Sequence, residues 1–405
     1  MKFGLIGKTL KHSYSKIIHE MFEAYSYDLL SMKEEEIPSF LENPEYSGFN
    51  VTIPYKKTIM PFCDFISDEA KKIGSVNTVI KKDGKLLGYN TDYAGFLAMT
   101  KRAEIDFSGK KVAILGSGGT YSTAYAVIGD LGAREIVSVS RCGEYNYENI
   151  SMWCDAEIIV NTTPVGMFPN NGDSILNIND FKNLEGVIDV IYNPLKTRLV
   201  FDAEQKGIKA TGGLYMLIFQ AKKAFEIFTG NKLSDDITEE IYQKLLKDTQ
   251  NIVLIGMPGC GKTTAGNFLS EYTHRNLLDT DALIEIKANM KPSEIIEKFG
   301  ENHFRNIETE CVKEAGKQTG KIISCGGGVV KRKENFYHLK QNGKIFFINR
   351  NINKLETVDR PLSKDMAALL KIEKERTPLY EALKDITIEN NGDLSSFKDK
   401  LIAGL

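Results

Sequence analysis

A glycine-rich segment deep in the chain, from Gly256 to Thr263, constrains the fold more than any other feature. It reads G-M-P-G-C-G-K-T, a complete G-x-x-x-x-G-K-[ST] phosphate loop, and the apolar run Asn251–Ile255 precedes it. Such loops follow the first strand of their own domain. The segment therefore predicts a P-loop α/β domain over residues 251–405 that binds a nucleoside triphosphate, with separate structure before it.

The bulk composition narrows the class of protein. The chain has 405 residues, 42% of them hydrophobic and 26% charged, so two or three packed domains are expected. The net charge of −2 argues against nucleic acid or an anionic membrane as the main partner. No apolar run approaches the roughly 20 residues that span a bilayer, and the amino terminus lacks a signal-peptide pattern. The six cysteines are scattered singly, so we expect a cytoplasmic protein.

The segment before the phosphate loop divides into two groups of predicted elements. The first group holds strands at Phe3–Ile6, Gly48–Thr52 and Ser75–Ile80. The second opens with the strand Lys111–Leu115, a glycine-rich turn and a helix, and continues with a strand at Glu135–Ser140. A strand, a glycine turn, a helix and a second strand in this order are typical of a dinucleotide-binding domain.

The glycine-rich turn predicts where a dinucleotide binds, because its N–H groups and the following helix can hold a pyrophosphate. The second strand ends at Ser140 and Arg141, where NAD-binding proteins usually carry an acidic residue. An arginine there can pair with a 2′-phosphate, which favours NADP. A purely structural turn and a surface arginine are the alternatives, since Tyr121 occupies the usual third glycine position. The residues at the turn are Gly116, Ser117, Gly118 and Gly119.

Short polar blocks interrupt the predicted strands and suggest a hydroxyl-rich ligand held by many hydrogen bonds. The blocks are His12–Ser15, Asn50–Lys56, Gly74–Val79, Gly88–Gly95, Asn161–Met167, Asp189–Pro194 and Gly213–Gln220. In order and spacing they resemble the shikimate dehydrogenase family, from residue 3 to about residue 245. The resemblance implies a substrate-binding domain at 1–100 and 215–247 and a Rossmann-like NADP domain at 101–214.

The resemblance also implies roles for single residues. Lys56 and Asp92 match the family's catalytic pair. Hydride transfer to a ketone creates an alkoxide, which Lys56 would protonate while Asp92 orients the ammonium and binds a neighbouring hydroxyl. We also assign Gly213 to the cofactor site. The positions assigned to the substrate are Ser13, Ser15, Thr52, Lys56, Asn77, Asp92, Tyr192 and Gln220.

In the phosphate loop, Lys262 would reach the terminal phosphates of ATP and Thr263 would ligate Mg²⁺. The loop residues assigned to ATP are Gly259, Cys260, Gly261, Lys262, Thr263 and Thr264. Further blocks follow at Asp279–Asp281, Phe304–Glu308, Ser324–Val330, Arg360–Leu362 and Glu375–Tyr380, with the second of these at a predicted helix start. This set resembles shikimate kinase, of the nucleoside monophosphate kinase-like class, over about 251–390.

The second resemblance implies that the acceptor, shikimate, is held by five residues, of which Asp281 also joins Lys262 in catalysis. Two arginines can clamp one carboxylate, and an aspartate can hold the attacking hydroxyl in line. Arg360 would close a lid over the transferring phosphate, and Asp279 would lie near Mg²⁺. The acceptor residues are Asp281, Arg305, Gly327, Gly328 and Arg376.

Two of these residues have a structural alternative, and two segments depart from the family patterns. Asp279 could cap a helix, and Arg305 could pair with Glu308 at i,i+3. The dehydrogenase family often has a basic residue where this chain has 121–123, and the lid before Arg360 is short. The first departure concerns the affinity for NADP and the second the binding of ATP, and neither concerns the residues that carry out the reactions.

The two resemblances name consecutive reactions, so we read the chain as a bifunctional shikimate pathway enzyme. It would reduce 3-dehydroshikimate with NADPH and then phosphorylate shikimate with MgATP. One alternative is a relaxed quinate/shikimate dehydrogenase fused to a kinase; another is a regulatory nucleotide-binding protein with a degenerate dehydrogenase. The expected partners are small molecules only, with a monomer and a homodimer both open.

Overall fold

The computed structural model of the protein describes residues 1–10, 14–355 and 366–405. These residues form two compact units. The first comprises Met1–Met167 and Asp173–Lys244, and the second comprises Phe168–Gly172 and Leu245–Leu405. Three β-sheets with helices around them make up the two units, which confirms the predicted α/β class with a Rossmann-like and a P-loop part.

The described residues contain sixteen strands and fifteen α-helices. The strands are β1 Lys2–Gly7, β2 Ser26–Ser31, β3 Gly48–Val51, β4 Phe65–Ile66, β5 Thr78–Lys82, β6 Lys85–Tyr89, β7 Lys111–Leu115, β8 Glu135–Val139, β9 Ile158–Asn161, β10 Gly186–Asp189, β11 Lys209–Thr211, β12 Asn251–Ile255, β13 Leu277–Asp279, β14 Ile322–Ser324, β15 Gly343–Asn349 and β16 Ile386–Glu389. The helices are α1 Ser15–Glu20, α2 Ile37–Glu42, α3 Asp68–Ile73, α4 Asp92–Arg102, α5 Gly119–Asp130, α6 Arg198–Gln205, α7 Leu214–Thr229, α8 Asp235–Thr249, α9 Lys262–Thr273, α10 Thr280–Ala288, α11 Pro292–Phe299, α12 Glu301–Lys317, α13 Glu334–Lys340, α14 Met366–Leu383 and α15 Leu394–Ala403.

The first sheet is mixed, with the strand order β2-β1-β3-β5-β6-β4. β1 pairs in parallel with β2 and β3, whereas β5 pairs antiparallel with β3 and β6. Helices α4 and α7 pack closely beside it, because Gly95 of α4 leaves room for the backbone of Met216. This contact brings the start of α4 next to the first two turns of α7.

The second sheet is parallel, with the order β11-β10-β9-β7-β8. All five residues of its inner strand β7 are buried, as expected for a parallel strand covered on both faces. The turn after β7 leads directly into α5. The glycine-rich turn therefore lies at the carboxyl edge of the sheet, where ligands of such folds bind.

The third sheet is also parallel, with the order β13-β14-β12-β15-β16. The phosphate loop follows its central strand β12, and all five residues of that strand are buried. β13 and β14 lie on one side of β12, and β15 and β16 lie on the other. The loop thus sits at the point where the chain switches direction across the sheet.

Two predicted boundaries shift in the structure. The strand predicted from Ser75 begins at Thr78, because the preceding residues form side-chain hydrogen bonds in a turn. The helix predicted to start at Phe304 begins three residues earlier, after Gly300 at a φ of +86°. Among the described residues, no helix combines the length and the apolar character needed to cross a membrane.

Candidate active sites

The first candidate site is built around a lysine and an aspartate from separate elements. Lys56 lies in the turn after β3, and Asp92 is the first residue of α4. Lys56 Nζ donates to Asp92 Oδ2 at 2.5 Å. Their side chains are 21% and 13% exposed, so the pair is sheltered but open to a ligand. A sheltered ammonium fixed by a carboxylate can deliver a proton to a bound oxygen.

A buried hydrogen-bond network holds Asp92 in place. Asn77 Oδ1 accepts from the Thr91 backbone N–H at 2.8 Å, and Asn77 Nδ2 donates to Thr91 Oγ1. Thr91 Oγ1 in turn lies 3.3 Å from Gln220 Oε1 on α7. Asn90 Oδ1 accepts from the Asp92 N–H at 3.0 Å. The structure therefore brings Lys56, Asn77, Asp92 and Gln220 together.

The remaining residues assigned to this substrate lie on three other segments. Thr52 follows β3, and its N–H donates to the Ile6 carbonyl at 2.9 Å. Ser15 begins α1 and is buried. The ring of Tyr192 lies 5.4 Å from that of Tyr14, and burial raises the pKa of the Tyr192 hydroxyl. Ser13 lies outside the described residues.

The turn between β7 and α5 has the shape of a phosphate cradle. Gly116 has a φ of +105°, and a Cβ there would lie 2.9 Å from Thr162 Oγ1. By contrast, a Cβ at Gly118 or Gly119 would meet nothing within 4 Å, so open space lies above the first turn of α5. The free N–H groups at the start of α5, next to Ser117, are groups that could hold a pyrophosphate.

The two residues expected near the cofactor ribose follow strand β8 of the second sheet. Ser140 is the residue directly after β8, and Arg141 is exposed. Tyr121 of α5 contacts β8, where its hydroxyl forms a hydrogen bond with Ser138 Oγ. Gly213 precedes α7, and a Cβ there would lie 2.0 Å from the Val190 carbonyl oxygen, so only glycine fits.

The second candidate site is a cleft of about 660 Å³ that opens over the phosphate loop. Gly259 and Gly261 have φ of +80° and +103°, which glycine adopts at little cost. Lys262 Nζ donates to the carbonyls of Gly256 and Met257 at 2.9 and 3.0 Å. Cys260 is fully buried, so it fills space in the loop. Thr263 and Thr264, the residues after Lys262, are exposed at the start of α9.

A buried arginine faces the glycine-rich segment after β14. Arg305 of α12 is 6% exposed, and its Nη1 donates to Glu308 Oε2 at 2.6 Å. The i,i+3 pair is therefore present, yet the same guanidinium lines the cleft. A Cβ on Gly328 would lie 2.1 Å from Arg305 Nη2, so a larger residue there would displace the guanidinium. Burial raises the pKa of Glu308, and the charge of Arg305 opposes that shift.

Helix α14 supplies a second arginine to the cleft wall and a buried tyrosine that contacts the glycine segment. Arg376 is 4% exposed, and its charge also acts on Glu308, which places both arginines near one carboxylate. One turn later, the buried Tyr380 donates its hydroxyl to the Gly327 carbonyl. The two arginines and the backbone of the glycine segment can together hold a small carboxylic acid.

The two aspartates after β13 differ in their contacts. Asp279 Oδ1 accepts from the N–H groups of Asp281 and Ala282, so Asp279 caps α10. It also lines the cleft. Asp281 Oδ1 lies 2.8 Å from the Cβ position of Gly326, which directs it to the acceptor side. The predicted lid residue Arg360 lies outside the described residues.

The cleft fits a magnesium ion bound mainly by phosphates. Within residues 1–10, 14–355 and 366–405, no group of three or more His, Cys, Asp or Glu side chains could hold a metal by itself. Mg²⁺ seldom uses such a cage, because it keeps waters and binds through one or two protein oxygens and substrate phosphates. Thr263 and Asp279, both in the cleft lining, offer that kind of set.

Some residues of both sites were not assigned from the sequence. Thr91 joins Asn77 to Gln220, and Glu308 holds Arg305. The sequence indicated a role for Glu308, because it lies three residues after Arg305 on a predicted helix. For Thr91 the only indication was its position within the polar block 88–95. The Arg305–Glu308 pair follows from its i,i+3 spacing. The contacts of Thr91 could not be predicted from spacing, because they join segments far apart in the chain.

Comparison with known families gives a match for each unit. Residues 5–79 match the shikimate dehydrogenase substrate binding domain, and residues 258–403 match shikimate kinase. The shikimate dehydrogenase (NADP(+)) of Clostridium perfringens strain 13 is 39% identical over 264 residues, which cover 60% of this chain and 97% of that protein.

Solved structures agree with the first of these matches. Shikimate dehydrogenase 1 from Peptoclostridium difficile is 38% identical, with a TM-score of 0.56 over 60% of this chain and 97% of that one. The shikimate 5-dehydrogenase of Thermus thermophilus, solved with NADP(H) and shikimate, is 29% identical, with a TM-score of 0.55 over 60% and 99%.

Proposed function

The chain belongs to the shikimate dehydrogenase family and carries a shikimate kinase domain after it, and we propose that its two sites act in sequence on one metabolite. As a shikimate pathway enzyme it has a dehydrogenase and a kinase activity. The observation that carries the proposal is that the product expected of the first site is the acceptor expected of the second. We propose reduction of 3-dehydroshikimate followed by phosphorylation of shikimate.

In the first site, Lys56 acts as the proton donor. Its Nζ is held 2.5 Å from Asp92 Oδ2, so the ammonium has a fixed direction. When bound, NADPH supplies the hydride. Lys56 then protonates the oxygen of the new alcohol, and Asp92 keeps the lysine aligned and accepts from a neighbouring hydroxyl. Asn77 and Gln220 bind further hydroxyls, since Thr91 fixes both side chains on the same wall.

The cofactor assignment rests on the cradle and on Arg141. The open space at Gly118 and Gly119 receives the pyrophosphate, and the exposed guanidinium pairs with a 2′-phosphate. NADP(H) is bound in the solved relative from Thermus thermophilus, which supports the same choice here. An Arg141→Ala variant that kept its preference for NADPH over NADH would contradict the assignment.

In the second site, the protein positions two substrates and neutralises charge. Arg305 and Arg376 clamp the carboxylate of shikimate, and the glycine segment 326–328 lets the backbone approach its ring. Asp281 holds the attacking hydroxyl, and Lys262 moves from its loop carbonyls to the phosphates of ATP. Thr263 and Asp279 would hold Mg²⁺, which offsets phosphate charge when bound.

Two single variants test whether each site performs its own reaction. Lys56→Ala is expected to lower NADPH-dependent reduction by at least about a hundredfold, the usual size of an acid–base contribution. The same variant should leave shikimate-dependent ADP formation intact. Lys262→Ala should do the reverse. A Lys56→Ala protein that still reduced 3-dehydroshikimate at the wild-type rate would remove Lys56 from the mechanism. Lys2→Ala, at a lysine that also pairs with carboxylates, is the matched control for lost ion pairs.

A further inference from the structure

A row of polar side chains crosses the interior of the first sheet and ends at the first candidate site. It runs from Tyr27 on β2 through Asn50 on β3 and Thr78 on β5 to Asn77, the residue directly before β5. All four are buried, with exposed fractions of 5% or less. Polar groups at this depth cost free energy unless they are hydrogen-bonded, so their partners should explain why the sheet keeps them.

The hydrogen bonds along this row run in one direction. Tyr27 Oη donates to Asn50 Oδ1 at 2.7 Å, and Asn50 Nδ2 donates to Thr78 Oγ1 at 2.9 Å. Thr78 Oγ1 then donates to Asn77 Oδ1 at 3.0 Å, and Asn77 Nδ2 donates to Thr91 Oγ1 at 3.1 Å. A hydroxyl has a single proton, so Tyr27 and Thr78 each spend theirs on the next residue of the row.

Backbone groups fix that direction. Asn50 Nδ2 also donates to the Asn77 carbonyl at 3.3 Å, and a carbonyl can only accept. Asn77 Oδ1 also accepts from the Thr91 N–H at 2.8 Å, and an N–H can only donate. Neither amide can therefore be turned round, because that would set two acceptors or two donors against each other.

The direction of the row decides what Asn77 can offer a ligand. Its Oδ1 is taken up by Thr78 and Thr91, whereas its Nδ2 carries a second proton besides the one donated to Thr91. Asn77 can therefore give a bound hydroxyl an N–H and not an oxygen. This step rests on the proposed dehydrogenase function, which assigns Asn77 to the substrate.

Tyr27 supplies the donor at the far end of the row. Burial raises the pKa of its hydroxyl, which therefore keeps the proton that Asn50 Oδ1 accepts. The ring of His19 stacks on the ring of Tyr27, with centroids 4.0 Å apart and planes within 5° of parallel, and so holds the hydroxyl over Asn50. Tyr27 itself is 1% exposed, so any effect on a ligand has to pass through other side chains.

We propose that Tyr27 is a positioning residue for the dehydrogenase reaction, which acts on the substrate through Asn50, Thr78 and Asn77. Its hydroxyl closes the buried row, and the closed row holds the Asn77 amide in the one orientation that suits the substrate. A satisfied network of this kind fixes a single arrangement, and a network that lacks one donor does not.

The test measures steady-state kinetics of the full chain with 3-dehydroshikimate and NADPH. Tyr27→Phe should raise the KM for 3-dehydroshikimate about fivefold, the worth of one buried hydrogen bond. The KM for NADPH and the pH profile of kcat should stay as in wild type, because the cofactor site and the Lys56–Asp92 pair are untouched. Tyr46→Phe, which removes a buried tyrosine hydroxyl bonded to Asp28, is the matched control and should leave both KM values unchanged.

A second pair of variants breaks the row at its middle. Thr78→Val removes the hydroxyl and keeps the shape, so it should raise the same KM, whereas Thr78→Ser keeps the hydroxyl and should stay near wild type. If Tyr27→Phe does not fold, as judged by its thermal transition, the two Thr78 variants carry the comparison.

The double variant Tyr27→Phe/Thr78→Val tests whether the two residues act through one row. It should raise the KM for 3-dehydroshikimate no further than the larger single effect, since the row is already open. A KM equal to the product of the two single effects would contradict the inference. So would an unchanged KM in Tyr27→Phe, or equal rises in both KM values, which would indicate a general loss of structure.

The same cycle can be measured without turnover. Trp153 is the only tryptophan of the chain and lies in the first unit, so its fluorescence follows the unfolding of that unit in urea. The losses of unfolding free energy from the two variants should likewise fail to add, and additive losses would contradict the inference. Wild-type protein that does not reduce 3-dehydroshikimate would contradict the proposed function instead.

Discussion

At the scale of single residues, both sites depend on side chains that hold other groups rather than on the reacting groups alone. Thr91 links Asn77 to Gln220, and Glu308 holds the buried guanidinium of Arg305. Tyr380 belongs to the same class. Its ring stacks on Phe347 at 5.1 Å, and its hydroxyl fixes the carbonyl of a glycine that should approach the acceptor ring.

Removing the Tyr380 hydroxyl tests that role. Tyr380→Phe keeps the ring and its packing, so the glycine segment loses one buried hydrogen bond, worth about 1 kcal/mol or a severalfold change in affinity. We expect the KM for shikimate in the kinase reaction to rise severalfold with the KM for ATP unchanged. Tyr55→Phe, which removes a hydroxyl bonded to the Met32 carbonyl in the other unit, is the matched control. Equal shifts in both KM values would argue for a general loss of structure.

At the scale of elements, the sequence predicted the positions of the motifs better than the element boundaries that long-range contacts decide. The strand at 111–115, the glycine turn and the phosphate loop have local signatures, and each lies where the sequence analysis expected it. The start of β5 and the start of α12 shifted, because a side-chain network and a glycine turn decide them.

The crossing of α4 and α7 depends on one glycine and gives a stability test. A Cβ at Gly95 would lie 2.7 Å from the Met216 carbonyl oxygen, so Gly95→Ala has to push the helices apart. Overpacking of this kind typically costs about 1–3 kcal/mol. We expect a lower melting temperature for the first unit and weaker reduction of 3-dehydroshikimate, because α4 begins with Asp92.

The control for this variant is Gly129→Ala in α5. A Cβ there would meet no atom within 4 Å, so helix propensity alone acts and favours alanine by about 1 kcal/mol. Gly129→Ala should raise the melting temperature while Gly95→Ala lowers it. Two shifts of the same sign would show that the α4–α7 contact is looser than the structure indicates.

The end of β10 gives a pH test. Asp189 is fully buried and accepts from Asn161, Thr197 and the Ile191 N–H, yet burial raises its pKa from 3.8 to about 6. The fold therefore favours the protonated form, and this contribution to stability is present below pH 3.8 and lost as the pH rises through 6. The difference in unfolding free energy between wild type and Asp189→Asn should decrease across that window. A difference that is flat, or that increases with pH, would contradict the raised pKa.

At the scale of the whole molecule, the two units match two different families, and we propose that their sites act on one metabolite. The first unit matches its dehydrogenase relatives along nearly the full length of those proteins. The second unit matches the kinase family over residues 258–403. The polar blocks of the two halves resemble two different families that share shikimate as product and substrate. We propose that the product of the first site is the substrate of the second.

The most direct measurement follows both reactions in one mixture. Purified chain would receive 3-dehydroshikimate, NADPH and MgATP, with NADPH absorbance and ADP formation recorded separately. We expect the NADPH absorbance to fall first and ADP to appear after a lag, with no ADP at all when NADPH is left out. ADP formed without NADPH, or NADPH consumed with no ADP afterwards, would contradict this expectation.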